Sequence, residues 1–188
     1  MYIAKLILMA RKIHVEDAAK ADIIKAIKKG AVFVMPIDTA YCIACNALLP
    51  SAVETLRAVR SEVESVSEQR LQAACSSGVF VIAPSKKWIE KNFNVKKAFL
   101  DKLPGPFTYV LNPKRGVKGF SSAIGVRLFE HPVLKAVEKA NVPLLCAEVQ
   151  MKKLPIGMVD FAIDAGVIAG APSAVIDFTG KFPLIVKR

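Results

Sequence analysis

The chain has 188 residues, 53% of them apolar and 23% charged, and 27 Lys+Arg against 16 Asp+Glu give a formal net charge of +11. That length suits a single domain over residues 1–188, since two half-sized cores would each be marginal, and the apolar content excludes intrinsic disorder. The longest apolar runs, near residues 31–36 and 144–147, fall well short of the ~20 residues that span a bilayer, so no membrane partner is expected.

In chain order, residues 2–9 read as a strand. Lys5 interrupts that apolar run, and Arg11 and Lys12 follow it instead of preceding it. That is the wrong order for a secretory leader, and a cytoplasmic location is expected. Residues 16–29 read as a helix with Ile23, Ile24 and Ile27 on one face and Gly30 as its stop. Residues 31–35 form a short apolar strand ending at Pro36. Ser51, with Glu54 three residues later, has capping-box spacing for a helix whose apolar face is Val53, Leu56, Val59, Val63 and Val66. A strand at 78–83 leads into a basic helical stretch. Pro104-Gly105-Pro106 breaks that stretch and feeds a strand at 107–112. Another strand covers 124–129, and Pro132 suits the first turn of a helix reaching Ala140. Strands at 142–149, 173–177 and 182–187 complete the pattern. Asp160 and Asp164, four apart, read as the solvated face of a helix. The alternation predicts an α/β fold: one domain, a twisted mixed sheet and flanking helices.

The charge is concentrated. Residues 84–118 carry 9 basic and 2 acidic groups, or +7, while residues 31–83 carry 3 and 5, or −2. The basic segment holds Lys86, Lys87, Lys91, Lys96, Lys97, Lys114 and Arg115, interleaved with Trp88, Phe93 and Phe99. Cations for phosphates beside aromatics for bases are the residue types of an RNA surface. The spacing of those aromatics favours the apolar faces of two short helices, with solvated lysines opposite.

Other motifs argue by what they lack. Cys42 and Cys45 have the spacing of a redox pair or half a zinc site, but no second pair exists, and His14 and His131 are isolated. Buried, unreactive cysteines and no metal centre are therefore expected. No glycine-rich phosphate loop of either common type occurs.

Three ordered segments carry more information: Pro36-Ile37-Asp38-Thr39-Ala40-Tyr41-Cys42-Ile43; Pro104-Gly105-Pro106-Phe107-Thr108; and the pair Gly125-Val126-Arg127 with Pro172-Ser173-Ala174-Val175-Ile176-Asp177. Together they resemble the YrdC-like family, whose active members are threonylcarbamoyl-AMP synthases. The family pattern runs P-T-D-T-x-Y-G-L, K-x-R at a helix end, P-G-P-L-T, R-x-P, S-A-N and S-T-V-V-D. The resemblance implies a concave basic cleft. It also implies a chemistry in which threonine, bicarbonate and ATP, with Mg²⁺, give threonylcarbamoyl-adenylate for N6-threonylcarbamoyladenosine formation on tRNA. Candidate nucleotide or substrate contacts by this resemblance are Asp38, Thr39, Tyr41, Arg60, Thr108, Arg127, Gln150 and Ser173.

Several family positions are substituted. The first threonine of the opening motif is Ile37, and K-x-R aligns with Arg60-Ser61-Glu62. S-A-N aligns with Glu148-Val149-Gln150, and the threonine after Ser173 is Ala174. A carboxylate ~4 Å from a phosphate costs about 1 kcal/mol in water and several times that in a cleft, so Glu62 and Glu148 oppose ATP. The expectation is a divergent member that binds a nucleotide or RNA (tRNA or duplex), with impaired synthase chemistry. Its rivals are an active synthase, with ATP and Mg²⁺, and a protein-interaction subunit with an empty cleft.

Overall fold

The computed structural model describes residues 11–64, 78–148 and 157–186. The strand expected at 2–9 and the candidate Gln150 lie outside them. Strand β1 (Arg11–His14) passes through a single 3-10 turn at Val15–Asp17 into helix α1 (Ala21–Lys29). The one helix expected over 16–29 is therefore two pieces. Lys20 adopts an extended φ/ψ of −69°/153° at the N-cap and separates them. Gly30, at φ 99°, ends α1 as anticipated; its N–H reaches back to the carbonyls of Ala26 and Ile27.

Strand β2 (Phe33–Pro36) turns through residues 37–40 into β3 (Tyr41–Asn46), an antiparallel pair closed by Ile37 N–H donating to the Ala40 carbonyl at 2.8 Å. Helix α2 (Pro50–Glu64) starts with proline at its first position, where the missing N–H has no helical partner to lose. Ser51 thus sits inside the first turn rather than at a capping box, and its carbonyl accepts the Thr55 hydroxyl at 3.0 Å. After β4 (Val79–Ile82), helix α3 (Lys86–Asn92) is capped by Ser85, whose Oγ accepts the Trp88 N–H at 3.1 Å. The short helix α4 (Lys97–Leu100) follows, then β5 (Phe107–Leu111), β6 (Ile124–Arg127), α5 (Leu134–Ala140) and β7 (Leu144–Glu148). Strands β8 (Phe161–Asp164), β9 (Ala174–Asp177) and β10 (Leu184–Val186) complete the described chain.

The segment from Asp160 to Asp164 is not helical. A spacing of four satisfies a period of two as well as a helical turn, and burial of Phe161, Ala162 and Ile163 decides for the strand. Both carboxylates work on neighbouring elements: Asp160 accepts the Val32 N–H at 2.8 Å, and Asp164 pairs with Lys12 at 2.7 Å.

The strands form one mixed, twisted sheet in the order β1-β8-β2-β3-β7-β4-β6-β5-β9-β10. One buried group joins Ile23 and Ile27 of α1 and Val137 of α5 to Phe33, Met35 and Phe161, with the Phe33 and Phe161 rings stacked at 4.8 Å. A second joins Leu56 and Val59 of α2 to Ile43, Cys45, Val81 and Leu145. Among the described residues no helix is long and apolar enough to cross a membrane.

Tyr41 fastens β3 to the end of β8. Its hydroxyl faces the Gly166 carbonyl at 2.8 Å and Asp164 Oδ1 at 3.1 Å, and accepts the Ala165 N–H at 3.0 Å. Burial pushes the tyrosine hydroxyl's pKa above its ordinary value. Tyr41→Phe removes this partly buried junction, so it should cost about 0.5–1.5 kcal/mol in urea unfolding; an unchanged midpoint would remove the junction's importance. The hydrogen bond from Lys12 holds the Asp164 carboxyl below its ordinary range. Its contribution is present above the unfolded carboxylate pKa of about 3.9 and disappears as pH falls through the lower folded value. Lys12→Met should therefore lower stability at neutral pH and flatten the acid limb of stability against pH.

Candidate functional site

Arg127, the last residue of β6, is 1% exposed. An arginine so deeply buried needs a counter-charge, because its charge cannot be titrated away. Asp38, in the β2–β3 turn, supplies it: Arg127 Nη2 donates to Asp38 Oδ1 at 2.6 Å. The guanidinium carbon lies 5.4 Å from the Phe80 ring centroid and 5.5 Å from that of Phe129. The cation is thus held between two aromatic rings and one carboxylate. Its Nε is buried without a hydrogen-bond partner among the described residues. His131 stands in the field of Asp38, but burial outweighs that attraction and lowers its pKa. Its Nδ1 accepts the Val133 N–H at 3.2 Å, as a neutral imidazole does.

Strands β5 and β9 run parallel with Thr108 opposite Val175. That register brings Thr108 Oγ1 to 2.9 Å from Ser173 Oγ, a buried hydroxyl pair. Thr108, Arg127 and Glu148 line one small pocket of about 10 Å³, room for roughly a single water. Five residues therefore gather near the centre of the sheet: Asp38, Thr108, Arg127, Glu148 and Ser173. Thr39 is half-buried in the turn beside Asp38. Gly170 crosses that turn so closely that a Cβ there would collide with the Asp38 carbonyl oxygen, and only glycine permits the approach.

Other candidates lie elsewhere. Ile37, where the resemblance has threonine, is fully buried in the core, and Ala174 is exposed on β9. Arg60 lines a different cleft of about 370 Å³ with Arg57, Phe120, Ser121 and Ser122, and Glu62 is exposed on the same helix. The Tyr41 hydroxyl is committed to β8. Phe129, His131 and Lys181 were absent from the sequence candidates; the Leu128-Phe129-Glu130-His131 run directly after Arg127 was the available signal for the first two.

The basic segment faces outward. Lys87, Lys91, Lys96, Lys97 and Arg115 are exposed, and none forms an ion pair with a described carboxylate. Lys86 Nζ donates to the Asp101 carbonyl at 3.3 Å, and Lys114 Nζ to the Glu90 carbonyl at 2.7 Å. Trp88 on α3 and Phe99 on α4 pack half-buried against the core, following the helical-face reading, whereas Phe93, buried at 1%, lies just past the end of α3 in extended backbone bridged to Pro113. Cys42, Cys45 and Cys146 are buried thiols, and burial pushes Cys45 up to about 12, far from a reactive thiolate.

A magnesium-bound nucleotide fits the central pocket poorly. Asp38 is committed to Arg127, and among the described residues no group of three His, Cys, Asp or Glu side chains could hold a metal ion. Asp38→Asn leaves a buried guanidinium uncompensated and should cost about 3–5 kcal/mol in chemical denaturation. The double variant Asp38→Asn/Arg127→Met should recover most of that loss. A double variant no more stable than the single one would show that the pair does not act as a unit.

A model of the Sua5/YciO/YrdC family, described as "Telomere recombination", matches residues 25–188. The Escherichia coli K12 protein YciO is 23% identical, the match covering 88% of this chain and 86% of YciO. The crystal structure of E. coli YciO superposes with TM-score 0.68 at 19% identity, covering 94% of this chain and 93% of that one. P. abyssi Sua5 complexed with L-threonine gives TM-score 0.70 at 19% identity over 94% of this chain, and this chain spans only 56% of that one. Full-length HypF in a phosphate- and nucleotide-bound form gives 0.65 at 18% identity, covering 93% of this chain and 28% of HypF. These likenesses establish the fold, and the family match across residues 25–188 goes further: the chain belongs to the Sua5/YciO/YrdC family.

Proposed function

We propose that this chain is an RNA-binding member of the family, acting as one domain, in which synthase chemistry is impaired. One contrast carries the reading. The cation inside the sheet-centre pocket, Arg127, is neutralised by Asp38, while the exposed cations of α3, α4 and the turn after β5 have no described carboxylate partner.

Adenylate formation needs cations aimed at the charge that develops on the α-phosphate. Turning Arg127 toward a phosphate would break its ion pair and leave the Asp38 carboxylate uncompensated. The family context links the chain to nucleotides and tRNA modification. P. abyssi Sua5 was solved with L-threonine and HypF with nucleotide, so ligand-binding relatives share this scaffold. The retained Thr108–Ser173 pair is joined by one hydrogen bond, which uses one of its two O–H donors and is compatible with a small-molecule contact.

Exposed lysines with no ion pair to a described carboxylate suit phosphodiesters. Each phosphate neutralised releases counterions and steepens the fall of log K with log salt by about 0.7–0.9. Filter binding of unmodified tRNA across a salt series should show that slope. Lys87→Glu/Lys91→Glu should weaken binding and reduce the slope by about two. No binding, or binding indifferent to salt, would overturn the RNA reading. Pyrophosphate release from ATP that depends on threonine and bicarbonate would overturn the impaired-synthase reading.

A further inference from the structure

The hairpin of β9 and β10 brings Lys181 to a cleft that already holds Lys96, Lys97 and Lys114. These four lysines come from three separate stretches of chain. Together they line a space of about 550 Å³, with Glu90 as the acidic residue on its wall. None of the four pairs with a described carboxylate, and Lys114 is steadied by the Glu90 carbonyl at 2.7 Å. Four like charges around one hollow repel each other, and an anion placed among them removes that cost.

A second feature adjoins the cleft. Phe182 sits between two of its lining residues, Lys181 and Pro183, and is 75% exposed. The other large aromatics among the described residues are buried or half-buried; this one has the Lys181 ammonium 5.7 Å from its ring centroid. A phosphate site beside an open aromatic ring is the combination that an unpaired nucleotide uses, phosphate on the cations and base on the ring. A duplex, with its bases stacked inside, offers nothing to Phe182.

We infer that the lysine cleft and Phe182 form a contact for single-stranded RNA, with backbone phosphates among Lys96, Lys97, Lys114 and Lys181 and one base stacked on Phe182. This rests on the RNA-binding reading and names where an unpaired strand would lie. Leu184 and Ile185, exposed at 63% and 64% on the adjoining edge strand, make a protein contact the competing use of this surface.

The test compares binding of a short labelled oligouridylate, a duplex of equal length and unmodified tRNA. The proteins are wild type, Phe182→Ala and Lys96→Ala/Lys97→Ala/Lys181→Ala, each checked for unchanged thermal unfolding. Phe182→Ala should weaken oligouridylate binding about tenfold and leave duplex binding within about twofold. The triple variant should reduce the salt slope for oligouridylate by about two. Equal oligouridylate affinity for Phe182→Ala and wild type would overturn the stacking site. So would wild-type binding to tRNA without binding to oligouridylate, and in both cases the broader RNA reading survives. A change in oligomeric state caused by Phe182→Ala, with RNA affinity unaltered, would assign the surface to a protein contact and overturn the inference. Failure of the wild type to bind any of the three RNAs would overturn both readings together.

Discussion

A single buried charge organises the middle of this protein. Arg127 is enclosed by sheet, and leaving its guanidinium alone there would cost several kcal/mol. Three contacts make the position tenable: the Asp38 carboxylate at 2.6 Å and the faces of Phe80 and Phe129 at about 5.5 Å. Each comes from a different part of the chain. Asp38 lies in the β2–β3 turn, Phe80 belongs to β4, and Phe129 lies two residues beyond the end of β6. The turn is covered in its own right by the close passage of Gly170, which leaves Asp38 little room to move. Holding the arginine therefore ties the β2–β3 turn to β4 and to the segment that follows β6.

The same contact sets the chemistry of the site. The guanidinium already faces a carboxylate and two ring faces, and its Nε is buried with no hydrogen-bond partner among the described residues. The adjoining Thr108 and Ser173 hydroxyls hydrogen-bond to each other at 2.9 Å. The positive charge of the chain is consequently expressed at its exterior, through lysines on α3, α4 and the β9–β10 hairpin. Much of the net charge of +11 is therefore carried by side chains exposed at the surface.

Much of the fold was legible in the sequence because it rests on local patterns. Gly30 as a helix stop, Pro104-Gly105-Pro106 as a break and the helical faces of Trp88 and Phe99 all follow from local chemistry, while Phe93 takes its burial from a bridge to Pro113 beyond the helix end. The elements that escaped have physical reasons. All six residues of β3 are buried, so no alternation marks it as a strand. Asp160 and Asp164 suit a helix or a strand equally until the burial of Phe161 and Ile163 is known. The capping box at Ser51 lost to a proline one residue earlier. The site was legible as a set of residues but not as a set of partners. Asp38 and Arg127 are 89 positions apart, and nothing local says that the two motif residues neutralise each other. Arg60 carries the right charge on the right helix, yet it lines a cleft of its own.

The central claim is that the pocket cation is held by the protein itself and is not offered to a nucleotide. Isothermal titration calorimetry of the wild-type protein with ATP and Mg²⁺, with and without L-threonine, tests this most directly. The account predicts no saturable heat at concentrations where tRNA binds. Saturable micromolar ATP binding that threonine strengthens would contradict it, because Arg127 would then have to leave Asp38 for the phosphates.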